Sequence, residues 1–199
     1  MTILGLSGSI GMGKSAVAAM FVELGVPVFD SDAEVHRLQG PGGALVPAIE
    51  AAFPGTTGPA GVDRVKLGID VLRDGAAMRR LELIVHPAVA AAREAFLAAH
   101  GTAPLVVFDV PLLFETGGDK AVDKVLVVSA DPATQRARVL ARPGMTPEKF
   151  EAILARQLPD AEKRARADFI IPTDVPLAET RAAVARLIAC LGTRSATLM

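Results

Sequence analysis

Gly8-Ser9-Ile10-Gly11-Met12-Gly13-Lys14-Ser15 fits the spacing G-x-x-x-x-G-K-[ST] and restricts the fold of this chain more than any other run. Ile3-Leu4-Gly5-Leu6 before it reads as a short buried strand, and Ala16–Leu24 after it as a helix. Strand, glycine loop and helix are the order that a phosphate-binding loop needs. Glycines let consecutive N–H groups point inward, and the helix N-terminus adds the positive end of its dipole. Lys14 is then expected to reach the β- and γ-phosphates, and Ser15 to offer its hydroxyl to Mg²⁺. A chance glycine turn is the competing reading. Three glycines and Lys-Ser at a strand–helix junction argue against it.

Five apolar runs read as strands: Thr2–Ser7, Val26–Asp30, Leu105–Val110, Lys124–Ser129 and Asp168–Ile171. They do not alternate polar with apolar, as expected of strands covered on both faces. Helical patterns separate them, which predicts an α/β fold, a five-stranded parallel sheet flanked by helices. Chemistry in such sheets gathers beyond the carboxyl ends of the strands. With 199 residues, 51% of them hydrophobic, the chain can bury this core as one domain carrying a smaller subdomain.

The strands are unevenly spaced. Residues 31–103 exceed what a single crossover helix requires. They contain Gly40-Pro41-Gly42-Gly43 and Pro54-Gly55-Thr56-Thr57-Gly58-Pro59, then helical patterns over Val62–Leu72 and Ala76–Ala99. An inserted helical subdomain at the sheet edge, binding a second substrate, is the expected content. The core is then about 1–30, 104–137 and 167–191. After the fourth strand, Asp131-Pro132 reads as an N-cap followed by a first-turn proline, and Thr146-Pro147 repeats the pattern beyond a Pro143-Gly144 turn. Arg138 and Arg142, four apart, are expected on one helix face. Basic residues near a phosphate loop suggest a lid over the nucleotide at about 138–157; a solvated arginine-rich helix is the bland alternative.

The second strand ends in Asp30-Ser31-Asp32. If strand geometry persists, the two carboxylates point to the same side, one for metal or structure and one to accept a proton from an acceptor hydroxyl. Ser31 or Asp32 capping a helix over Ala33–Leu38 is the alternative. Leu105-Val106-Val107-Phe108-Asp109 has the form of a strand whose terminal acid holds Mg²⁺, directly or through water. His86 precedes Pro87, which by itself suggests a helix boundary. His36, His86 and His100 have no metal-ligand spacing.

A net charge of −1 sets up no strong field for nucleic acid or membrane. A buried thiol is expected at Cys190, in an apolar helical stretch. The loop begins too early for a signal peptide to precede it, and the run Leu105–Phe114, broken by Asp109 and Pro111, is too short to span a bilayer. A soluble cytoplasmic monomer, with weak self-association allowed, is the expectation. No Asn-Lys-x-Asp element supports a guanine-reading switch.

Taken in order, several segments resemble the dephospho-CoA kinase family. They are the loop itself, Asp30-Ser31-Asp32, Val85-His86-Pro87, the Pro111-Leu112-Leu113-Phe114-Glu115 run, Arg138, Arg142, Gln157 and Ala167-Asp168-Phe169-Ile170-Ile171. The resemblance implies a P-loop kinase in which ATP phosphorylates the ribose 3′-hydroxyl of dephospho-CoA; another nucleotide or small-molecule kinase is the alternative. It implies that Gly8, Gly11, Met12, Gly13, Lys14, Ser15, Ala16 and Arg142 hold ATP. Asp32, Lys14 and Arg138 would act in catalysis, and Ser15 and Asp109 would hold Mg²⁺. Asp32, His86, Leu113 and Glu115 would face the acceptor. Ser9, Ala16 and Ser31 depart from a usual glycine, threonine and alanine. Pro172-Thr173-Asp174 stands where the family commonly carries an asparagine.

Overall fold

The structure, a computed structural model, describes residues 1–72 and 74–192. β1 (Thr2–Ser7) and α1 (Lys14–Glu23) flank the glycine loop, and β2 (Val28–Asp30) follows. Next come α2 (Ser31–Gln39), α3 (Val46–Ala52), a hairpin of β3 (Thr57–Gly58) and β4 (Gly61–Val62), α4 (Arg64–Val71) and α5 (Gly75–Ala99). The chain continues as β5 (Leu105–Asp109), β6 (Lys124–Ser129), α6 (Pro132–Leu140), α7 (Pro147–Leu154), α8 (Asp160–Arg166), β7 (Phe169–Pro172) and α9 (Leu177–Gly192). It divides into two compact units, Met1–Phe29 with the chain from His100 onward, and Asp30–Ala99.

The five-stranded parallel sheet has the order β2-β5-β1-β6-β7. β1 is central: Ile3 pairs with Val106 and Leu6 with Asp109 on one side, Leu4 with Lys124 and Ser7 with Val127 on the other. Its Leu4 and Leu6 are fully buried with Val17 and Phe21 of α1, Val107, Leu126, and Val184 and Leu187 of α9. The sheet therefore carries an apolar layer from which the loop emerges at the carboxyl end of β1. The expected caps form, with Asp131 accepting from Ala133 and Thr134 N–H at 2.9 Å and Thr146 from Lys149 N–H at 3.3 Å.

Several local expectations are corrected. β2 stops at Asp30, whose Oδ1 accepts from Ala33 N–H at 2.9 Å, so Asp30 and neither Ser31 nor Asp32 is the N-cap of α2. Asp32 is consequently in a helical first turn, and the strand alternation that would align it with Asp30 has ended. α5 runs through Pro87 rather than breaking there. Proline removes one helical hydrogen bond, but Met78, Leu81, Ile84, Val85, Ala88 and Val89 pack on a shared core and hold both halves in line. Arg142 lies past the end of α6, so it does not share a helical face with Arg138. Cys190 is exposed.

The core of the 30–99 unit is Leu38, Leu45, Ile49, Phe53, Leu67, Val71 and Ala77, contributed by α2 to α5. A third cluster lies in the other unit, where Leu113, Phe114, Val125 and Val127 pack with Leu158. Beside it Lys163 of α8 is 0% exposed, with its Nζ 2.9 Å from Glu115 Oε1. The same oxygen accepts from Leu158 N–H at 2.8 Å. Burial pushes the Glu115 carboxyl up, but the Lys163 ammonium and the Leu158 N–H outweigh it, and the group titrates below the ordinary 4.5.

Ile49→Ala, at a fully buried site, should lower stability by about 2–5 kcal/mol, read from denaturant unfolding. A depressed carboxyl pKa stabilises the fold above the ordinary value and loses that effect as pH falls through the depressed one. The wild-type melting temperature should therefore drop below pH 4.5 more steeply than that of Glu115→Gln. At neutral pH the variant, with a buried ammonium left uncompensated, should already be destabilised by about 3 kcal/mol.

Candidate active site

Between β1 and α1 the backbone twice enters the left-handed region. Gly11 and Gly13 take φ of +79° and +86°, a region closed to most side chains. Gly8 directly follows β1 and begins the turn. Gly13 is the N-cap of α1, so Lys14, Ser15 and Ala16 form its first turn. First-turn amides have no acceptor within their own helix and suit an anion.

The loop is held from outside. Met12 is buried, its Sδ accepting from Ala130 N–H at 3.1 Å and its carbonyl from Thr173 Oγ1 at 2.8 Å. Its side chain thus braces the loop from within the core. Arg138 donates to Thr173 O at 2.5 Å and to Thr173 Oγ1 at 3.0 Å, and lies 3.5 Å from Gly11 O. The Lys14 ammonium is hydrogen-bonded to Asp109 Oδ1, and Asp109 is only 3% exposed. Lys14, paired with the acid at the end of β5, keeps that buried carboxylate neutralised. Loop, Lys14, Asp109 and Arg138 are therefore brought together in one unit, while Arg142 is exposed in the turn after α6.

Ser15 is exposed, and its hydroxyl and the Asp109 carboxylate are oxygen donors of the kind that Mg²⁺ accepts. Among the described residues no group of three or more His, Cys, Asp or Glu side chains forms a metal cage. In the 30–99 unit, Asp32 is exposed and makes no hydrogen bond or ion pair among the described residues. His86 is exposed midway along α5. Leu113, expected towards the acceptor, is instead 1% exposed. It packs with Phe114, Val125 and Val127, so its side chain supports its neighbours rather than meeting a ligand.

Sequence reasoning missed Thr173, Gln135 and Lys163. Thr173 registered only as a departure from the family pattern, yet it links Met12, Ser129 and Arg138. Lys163 sits in Asp160-Ala161-Glu162-Lys163-Arg164, a charged run that reads as a solvated helix, so nothing in it signals a buried ammonium. Among the described residues no helix is long and apolar enough to cross a membrane.

Comparison with known proteins gives the same answer from several sides. Residues 2–179 match the family CoaE, Dephospho-CoA kinase. A dephospho-CoA kinase of Novosphingobium aromaticivorans is 66% identical over 186 residues, which cover 94% of this chain and 92% of that one. One from Mesorhizobium japonicum is 59% identical over 190 residues, 94% of this chain and 95% of the other. The crystal structure of TT1252 from Thermus thermophilus superposes with a TM-score of 0.81 at 33% identity, covering 96% of this chain and 97% of that one. Dephospho-CoA kinase from Campylobacter jejuni shares the fold, with a TM-score of 0.66 at 22% identity and coverage of 96% and 97%. A glycine loop so braced, in a chain alike along nearly its whole length to these relatives, belongs to the dephospho-CoA kinase family.

Proposed function

We propose that the chain transfers the γ-phosphoryl group of ATP to the ribose 3′-hydroxyl of dephospho-CoA, yielding CoA and ADP. One observation carries the reading. Lys14 and the glycine-turned loop stand at the head of α1, in a chain 66% identical over 186 residues to a dephospho-CoA kinase. The bond from the 3′-oxygen to γ-phosphorus forms as the bond from γ-phosphorus to the β–γ bridging oxygen breaks. The hydroxyl proton leaves to a base, and the charge passes to ADP.

Residue roles follow from chemistry. Gly8, Gly11, Met12, Gly13, Lys14, Ser15 and Ala16 would hold the phosphates through backbone N–H groups. Lys14 would exchange Asp109 for the β- and γ-phosphates. Ser15 and Asp109 would hold Mg²⁺, which when bound neutralises phosphate charge. Arg138, now resting on Thr173, and Arg142 would bear on the transferring group, where added positive charge stabilises a loose transition state. Asp32 would orient the acceptor hydroxyl and take its proton late. Its carboxylate is open to solvent and uncommitted, whereas that of Asp30 is spent on a helix cap. His86 and Glu115 would serve the acceptor side, Glu115 through the oxygen that Lys163 does not engage. Residues 31–103 would bind the acceptor and residues 138–157 would act as the lid. The cytoplasm and a monomeric state fit this reading.

ADP release with dephospho-CoA, nucleoside monophosphates and shikimate as acceptors tests the assignment. Turnover with dephospho-CoA alone is expected; turnover with another acceptor and none with dephospho-CoA overturns it. Asp32→Asn should lower kcat by roughly 10²–10⁴, the loss typical of an acid–base group, with ATP affinity nearly unchanged. Wild-type turnover in that variant removes Asp32 from proton transfer. Lys14→Ala should instead weaken ATP binding as well as turnover, measured by calorimetry and steady-state kinetics.

A further inference from the structure

Ile10 is a residue whose main chain is gripped by two side chains. Its N–H donates to Gln157 Oε1 at 3.0 Å, and its carbonyl accepts from Gln135 Nε2 at 2.7 Å. The chemistry fixes both amide orientations, because a backbone N–H needs an oxygen and a backbone C=O needs a donor. Gln135 is buried on α6, while Gln157 belongs to the joint just after α7. That joint is itself anchored. Leu158 N–H donates to Glu115 Oε1 at 2.8 Å, Lys163 lies 2.9 Å from the same oxygen, and Asp160 accepts from Ser129 Oγ at 2.7 Å. A cavity of about 290 Å³ opens behind the grip, lined by Ser9, Gln135, Leu154, Gln157, Leu158 and Pro159, among others.

Along the chain, Ile10 and Gly11 lie midway round the loop, between Gly8, which follows β1, and Gly13 at the head of α1. In loops of this kind the helix-end amides take the inner phosphates and the lysine reaches outward, which leaves the turn at Ile10 and Gly11 for the outermost one. With both main-chain groups of Ile10 engaged, the backbone first turns inward at Gly11, whose φ is +79°. We propose that Gln157 is a positioning residue for phosphoryl transfer, setting the γ-phosphate end of the loop by holding the Ile10 amide from the joint after α7. It need not touch ATP. The loop's inner half is fixed separately, through Met12 and Thr173. Loss of the Gln157 contact should therefore loosen only the outer end. A role in general stability makes the opposite forecast, because a loop loosened throughout loses diphosphate and triphosphate alike.

The inference rests on ATP being the nucleotide, and the test separates the two. Gln157→Leu keeps the size of the side chain and removes the acceptor. Calorimetry with ADP and with a non-hydrolysable ATP analogue, both with Mg²⁺, should show the analogue weakened about tenfold, the scale of a lost hydrogen bond that leaves a part-buried donor unmet, with ADP within about twofold. In kinetics, kcat should fall while KM for dephospho-CoA holds. Equal weakening of both nucleotides, or of neither, overturns the inference with the proposed activity intact. Wild-type protein that binds neither nucleotide overturns both. Gln157→Asn withdraws the same oxygen by one methylene and is read by the same ratio if the leucine variant does not fold.

Discussion

A loop meant to receive an anion through its amides has few of them left to stabilise itself, and within this one Met12 N–H donates to Ser9 O at 3.1 Å. The N–H groups at the head of α1 have to stay available, so the shape of residues 8–13 is imposed by neighbours. β1 fixes where the loop starts, in the middle of the sheet between β5 and β6. Thr173, from beyond β7, holds Met12. Arg138 and Gln135 reach in from α6, and Gln157 from past α7. The braces come from three separate parts of the chain, so the site depends on the completed unit and not on the motif alone.

The same economy governs charge. Buried ions are tolerated only in company, and two such pairs stand out. Lys14 with Asp109 joins the loop to the end of β5, and Lys163 with Glu115 joins α8 to the segment after β5. The first ties a loop lysine to an acid that is only 3% exposed. The second lies beside packed Leu113, Phe114 and Leu158 and fixes the joint from which Gln157 extends.

Much of this was legible in the sequence where local chemistry has one outcome. The loop spacing, the caps at Asp131 and Thr146, and the buried strands declare themselves because glycine φ, capping oxygens and apolar runs act locally. What failed did so for non-local reasons. Pro87 ought to end a helix, but the apolar face of α5 carries it across. Asp30-Ser31-Asp32 reads equally well as strand or cap, and the cap falls on the first acid. Cys190 sits among apolar residues, yet on the outward side of α9. Gln135 carries no local signal at all, and Gln157 stands out only through the family resemblance, since the value of both lies in the carbonyl and amide of a residue more than a hundred positions away.

The packing of α1 against α9 bears on the order in which this protein can be made. Val17 and Phe21 share their core with Val184, Leu187 and Leu191, and Arg181 is ion-paired with Glu23. β1 likewise finds its partners only in β5 and β6. Leaving the ribosome, the nucleotide loop therefore precedes nearly everything that shapes it. Its strand and helix stay exposed while the 30–99 unit, whose core is drawn from its own consecutive helices, has every partner it needs. The strand and helix that carry the loop are thus among the last parts to settle.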